Sequence, residues 1–170
     1  MKITEVRLTI LEDPDQPLVA QRIVEQKGLF RTQYTHQGTD TGGHARQHFV
    51  HVLTDEGVEG ICTTTMAQPQ IDILRRHVIG EDPLHRERLF QMLHKGTRWV
   101  YQQPGWFGDF DNCLWDIAGK TAGLPVHALL GRVRQAFPVY LTGGDMPLSG
   151  YLDHIAEGRE TMGISAYKFH

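Results

Sequence analysis

The chain reads as a mixed α+β region followed by the start of a parallel α/β domain, and three observations predict that order. A β-branched and aromatic hairpin lies near the N-terminus. Amphipathic segments with clear helix stops fill the middle. A strand, a helix and a second strand close the chain at the spacing of a βαβ crossover.

Ile3, Val6, Leu8 and Ile10 alternate with polar residues and predict a first strand. Glu12 to Pro17 hold two prolines and two aspartates and predict a loop. Val19 to Val24 fit a short helical turn, Phe30 to His36 a strand, and Gly38 to Gly43 a flexible loop. Gln47–Thr54 and Val58–Thr64, joined by Asp55-Glu56-Gly57, predict a β-hairpin in which Gly57 takes positive φ.

Helices follow. Ile71, Ile73, Leu74 and Val78 form one apolar side, and Gly80 closes it. Asp82 as N-cap and Pro83 at the first position open a second helix with Leu84, Leu89, Phe90 and Leu93 inward. A third spans about residues 110–122, with Cys113, Leu114, Ile117 and Ala118 inward, and Gly123 and Pro125 stop it. One more turn runs from Val126 to Leu130. Phe137 to Thr142 is apolar enough for a strand buried on both faces. Gly143-Gly144 breaks it, a helix covers about Leu148 to Met162, and Ile164 to His170 is the terminal strand.

Net charge is −3 with no basic run, which argues against nucleic acid and anionic membranes as partners. The N-terminus has no apolar core of a signal peptide, and no run approaches the ~18 apolar residues of a membrane helix. Cys62 and Cys113 stand apart, as reduced thiols do, and a cytoplasmic location is expected.

The chemically suggestive residues are Lys168 and His170, which share a strand face and can both carry protons. His48 and His51 fall on opposite strand faces, so a shared metal there is not expected. Asp111 reads as first-turn charge complementing a helix dipole, and Asp116 as structural. Trp99, Val100, Tyr101, Trp106 and Phe107 read as a brace for the core rather than a pocket lining.

Residues 111–131, DNCLWDIAGKTAGLPVHALLG, resemble the enolase superfamily, in its mandelate racemase/muconate lactonizing branch. Thr54–Gly60 (TDEGVEG), Gly80–Leu84 (GEDPL) and Val139–Thr142 (VYLT) agree in order and spacing. The resemblance implies a capping domain over residues 1–130, made of a three-stranded meander and a helical bundle. It implies that residues 131–170 hold the first two strands and intervening helix of an incomplete TIM-type (β/α) barrel.

It further implies a reaction that begins with removal of the proton α to a carboxylate, aided by Mg²⁺. Lys168 and His170 occupy the motif at the end of the second barrel strand, with histidine where lysine is commoner. His170 would act as base, as acid to a leaving group, or as a positioning group. The metal carboxylates are expected downstream, so the metal ligands within this chain are none. Thr63 and Thr64, with Thr65 beside them, fall where the capping loop reaches the site, and Tyr34 and His36 lie in the expected specificity region.

Within what the resemblance implies, an acid-sugar dehydratase is the leading expectation, and a hydroxyl-rich substrate suits the polar content of residues 31–48 and the threonines at 63–65. A racemase, epimerase or cycloisomerase with the same enediolate stays open, as does a non-catalytic capping or oligomerisation module. A homo-oligomer is expected. A barrel needs ~250 residues, so the chain is expected to be part of a longer protein and inactive alone.

Overall fold

The computed structural model describes residues 1–27, 32–101, 105–143 and 147–168; for 18–24, 26–27 and 32–41 the description covers backbone only. The chain divides into two compact units, Met1–Leu130 and Gly131–His170, each described by itself.

In the first unit β1 (Ile3–Lys27), β2 (Thr32–Thr54) and β3 (Glu59–Thr63) form an antiparallel sheet in sequence order. Gly57, at φ 77°, supplies the turn between β2 and β3 as the sequence predicts. β3 pairs with Phe49–Leu53, and the far half of the β1–β2 hairpin continues as a two-stranded ribbon.

That ribbon corrects three expectations. Glu12–Pro17 is not a plain loop, Val19–Val24 is not helical, and Gly38–Gly43 is not a free loop; all lie within the long strands. Pairing of Val19–Lys27 with Thr32–Asp40 supplies ladder hydrogen bonds that override local preference, and Val19, Ile23 and Val24 suit a strand in any case. The turn-forming residues sit where the register shifts. Residues 14–16 bulge between Asp13 and Pro17, and the Asp15 N–H donates to Asp13 Oδ1 at 3.0 Å. Gly42, at φ 74°, lies in the opposing bulge between Asp40 and His44.

Among the described residues, four helices complete the unit: α1 (Gln68–Val78), α2 (Arg86–Thr97), α3 (Gly108–Ala122) and α4 (Val126–Leu129). Ile3, Val6, Val50 and Val52 of one sheet face join Ile71, Leu74 and Val78 of α1, Leu89 and Leu93 of α2, and Phe110, Cys113, Leu114 and Ile117 of α3 in a single core. Each such aliphatic side chain contributes about 1.5–3 kcal/mol of burial. α2 starts later than predicted. The Asp82 carboxylate takes the Leu84 N–H at 2.9 Å and closes a turn first, so Leu84 stays exposed and His85 precedes the helix.

Both sheet edges are covered near the core. On β1, the Ile3 N–H donates to the Glu81 carbonyl and the Gly80 N–H to the Ile3 carbonyl, each at 2.8 Å, and Arg75 Nε donates to the Val6 carbonyl at 2.7 Å. On β3, Asp116 Oδ2 accepts the Ile61 N–H at 3.0 Å, and Lys120 Nζ reaches both Asp116 at 2.7 Å and the Glu59 carbonyl at 2.6 Å. Asp116 is structural, as expected. α3 lies directly on β3: a Cβ at Gly60 would sit 2.2 Å from the Cys113 carbonyl oxygen and 2.9 Å from Ile117 Cγ1.

The aromatic run divides. Phe107 is buried and Trp106 packs edge-on to it at 5.5 Å, donating its indole N–H to Thr97 Oγ1 at 2.8 Å. Trp99, 83% exposed, and Val100 do not brace the core. The chain turns as α2 ends, with the Val100 and Tyr101 N–H groups both on the Thr97 carbonyl at 2.9 Å, which leaves the Trp99 and Val100 side chains on the outside while Tyr101 packs on Trp106.

The second unit holds β4 (Leu141–Thr142), α5 (Leu148–Met162) and β5 (Tyr167–Lys168), with β4 and β5 parallel. α5 matches its prediction and ends at Gly163, whose φ is 67°. β4 is shorter than predicted and is not buried on both faces, because pairing with β5 involves only Leu141 and Thr142; Phe137, Val139 and Tyr140 are exposed. No helix among the described residues is long and apolar enough to cross a membrane.

Two outcomes follow for stability. Gly60→Ala places a methyl against backbone that cannot move aside, so stability should fall by about 1–3 kcal/mol, read as a lower denaturant midpoint with unchanged slope. Burial also pushes the Cys113 thiol well above its ordinary range. The unfolded thiol ionises above about pH 8.5 while the native one keeps its proton, so stability falls as pH rises, by about 1.4 kcal/mol per unit from this group. Cys113→Ala should flatten that slope in unfolding curves between pH 8 and 10.

Candidate active site

The sequence-predicted residues fall on two separate features, one in each unit. In the second unit Leu141 N–H donates to the Ala166 carbonyl at 3.0 Å, which sets β4 beside β5 so that Leu141 pairs with Tyr167 and Thr142 with Lys168. Paired residues of neighbouring strands share a face, and successive residues alternate.

One face belongs to α5. Tyr167 packs edge-on to Tyr151 at 6.1 Å and His154 at 5.8 Å, both on α5, and partial burial raises its phenol pKa. Leu141 reaches Gly158 of α5, where a Cβ would lie 2.5 Å from Leu141 Cδ2. The other face therefore carries Thr142 and Lys168, side by side at the C-terminal ends of two parallel strands, with Lys168 exposed. Thr142 Oγ1 also lies 3.5 Å from the Lys168 carbonyl. His170 and Phe169 lie outside the described residues. Sequence reasoning does not single out Thr142, because its place opposite Lys168 depends on a strand register that only pairing fixes.

In the first unit the β3–α1 connection carries the threonines. Thr63 ends β3 opposite Phe49 and is exposed. Thr64 is buried, 7% exposed, and donates its hydroxyl to Asp109 Oδ2 at 2.7 Å. Thr65 is exposed, and its N–H lies 3.4 Å from the same oxygen. Asp109 escapes sequence reasoning because the predicted helix starts after it; the first turn of α3 begins at Gly108. Tyr34 and His36 lie on the backbone of β2, in the ribbon, and their side chains are outside the described residues.

The remaining charged candidates are engaged. Asp111 does sit in the first turn of α3, and it also accepts Arg86 Nη2 at 3.0 and 2.8 Å while that guanidinium lies 3.6 Å over the Trp115 ring. His51 Nδ1 meets Glu59 Oε1 at 2.7 Å. Among the described residues no group of three His, Cys, Asp or Glu side chains is placed to hold a metal ion, and the strand ends of the second unit offer an ammonium and a hydroxyl. The described residues do not fit a Mg²⁺ site.

Residues 22–131 match the mandelate racemase/muconate lactonizing enzyme, N-terminal domain family. The chain belongs to that family. Its three-stranded antiparallel sheet and helices are consistent with the N-terminal domain of that family. Among similar proteins, a D-galactonate dehydratase family member, RspA, from Halomonas elongata is 33% identical over 131 residues, 68% of this chain and 32% of its own length. A D-mannonate dehydratase from a Sphingomonas species is 38% identical over 99 residues, 52% of this chain and 25% of its own length. The crystal structure of D-glucarate dehydratase from Agrobacterium tumefaciens complexed with magnesium superposes with a TM-score of 0.60 at 25% identity, over 84% of this chain and 35% of that one. The chain spans about a third or less of the length of these relatives.

Proposed function

We propose that the protein is an acid-sugar dehydratase that removes the proton α to a carboxylate and expels a β-hydroxyl, giving a 2-keto-3-deoxy acid and water. The observation that carries this reading is the position of Lys168. It lies at the C-terminal end of a strand parallel to β4, on the face turned away from α5, with the Thr142 hydroxyl beside it. In a (β/α) barrel that face is the interior and that end holds the chemistry. On this reading the second unit is the opening β-α-β of such a barrel. Similarity to dehydratases named for D-galactonate, D-mannonate and D-glucarate supports an acid sugar as the substrate class.

On this reading the Lys168 ammonium orients the substrate carboxylate and favours charge developing on it. His170, two residues on, serves the proton transfers, since an imidazole can accept the α-proton or, once protonated, donate to the departing hydroxyl. The exposed Thr63 of the β3–α1 loop, and Tyr34 and His36 of the ribbon, meet the sugar hydroxyls, while Thr64, its hydroxyl on Asp109, shapes the loop. The reaction depends on a divalent metal held by residues outside those described here, and the protein works as a homo-oligomer in the cytoplasm.

Two outcomes are expected of the intact gene product. Lys168→Ala and His170→Asn each lower turnover by about 10²-fold or more with the melting temperature retained, read as 2-keto product from a panel of mono- and diacid sugars. Near-normal turnover by either variant removes that residue from the mechanism. Exchange of Cα deuterium without a 2-keto product would point instead to racemisation. Chelation with EDTA abolishes turnover and added Mg²⁺ restores it; full activity after exhaustive chelation would exclude the metal-dependent scheme.

A further inference from the structure

The β3–α1 loop is tied down from one side by a single carboxylate. Thr64 Oγ1 donates to Asp109 Oδ2 at 2.7 Å and accepts the Met66 N–H at 2.9 Å. The Thr64 N–H donates to the His48 carbonyl at 2.9 Å, and the Thr65 N–H approaches the same Asp109 oxygen at 3.4 Å. Met66, next in line, is buried in the core. The chain is thus pinned before and after Thr65. Of the three consecutive threonines, only Thr63 and Thr65 present exposed side chains.

Asp109 is itself well placed to hold the tie. It lies in the first turn of α3, where backbone N–H groups favour a carboxylate, and buried Phe107 and Phe110 on either side fix that turn against the core. An O–H···O⁻ bond to an ionised acceptor is among the stronger kinds, and it is short here. Loss of the Thr64 hydroxyl would leave both the carboxylate and the Met66 N–H without this partner.

We propose that Asp109 is a positioning residue that latches Thr64, so that Thr65 and Thr63, rather than Thr64, offer hydroxyls to the substrate. The proposal rests on the acid-sugar reading and assigns Thr64 the part of anchor within it. A loop fixed before binding loses less freedom when a polyhydroxy ligand arrives, so the latch acts on binding more than on the chemical step.

The test uses the intact gene product and reads loop and kinetics separately. In Thr64→Val and Asp109→Ala, amide hydrogen exchange at Thr65 and Met66 should quicken, and KM for the acid sugar turned over should rise, each by roughly tenfold, with kcat held within about twofold. Thr64→Ser and Asp109→Asn keep a hydroxyl and an acceptor and should stay near wild type. Thr65→Ala, an exposed change that leaves the fold alone, should raise KM without altering exchange at Met66. Unchanged exchange in Thr64→Val and Asp109→Ala overturns the latch. Unchanged KM in Thr65→Ala overturns the substrate role of that side chain. A wild type inert toward every acid sugar overturns the dehydratase reading and the substrate part with it, while the exchange measurement still decides whether the latch exists.

Discussion

The close seating of α3 on β3 is the constraint on which the first unit depends. At Gly60 the helix backbone approaches to within the space a methyl group would need. That approach brings Asp116 and Lys120 within reach of the β3 edge and lets Cys113 and Ile117 enter the core. It also carries the start of α3, and with it Asp109, to the loop that leaves β3. One missing side chain therefore places a helix, closes a sheet edge and positions a carboxylate.

A comparable economy governs the second unit. Leu141 and Tyr167 are paired across the strands and both bury against α5, the first at a glycine and the second between two rings. Strand alternation then leaves Thr142 and Lys168 no choice of face. The orientation of the candidate catalytic amine follows from apolar packing one residue earlier, and a slip of one residue would reverse it.

Much of the helical part was legible in the sequence, because its signals are local. Periodic apolar residues with Gly123 and Gly163 as stops locate α3 and α5, and Asp55-Glu56-Gly57 locates the β2–β3 turn. The ribbon was not legible. Pro14 and Gly42 read as loop, yet they occupy bulges within paired strands, with Pro17 paired to His44 between them, and pairing across some twenty or thirty residues leaves no local signature. In the candidate site, Lys168 was legible from a motif and strand alternation. Thr142 and Asp109 were not: one depends on inter-strand register, the other on a helix starting two residues earlier than its apolar pattern suggests. The exposure of Trp99 shows the same limit, since composition cannot tell the inside of a turn from its outside.

The covered edges of the three-stranded sheet have a consequence for colloidal behaviour. A short sheet normally offers bare N–H and C=O rows to any extended peptide nearby, and many proteins blunt such rows with strand-breaking residues. Here the rows are capped by a carboxylate, an ammonium and a guanidinium reaching in from helices. Those caps hold only while the helices stay docked. Partial undocking of α1 or α3 would bare a recruiting edge before the core itself dissolves, so the failure mode written into this architecture is intermolecular strand addition rather than simple unfolding.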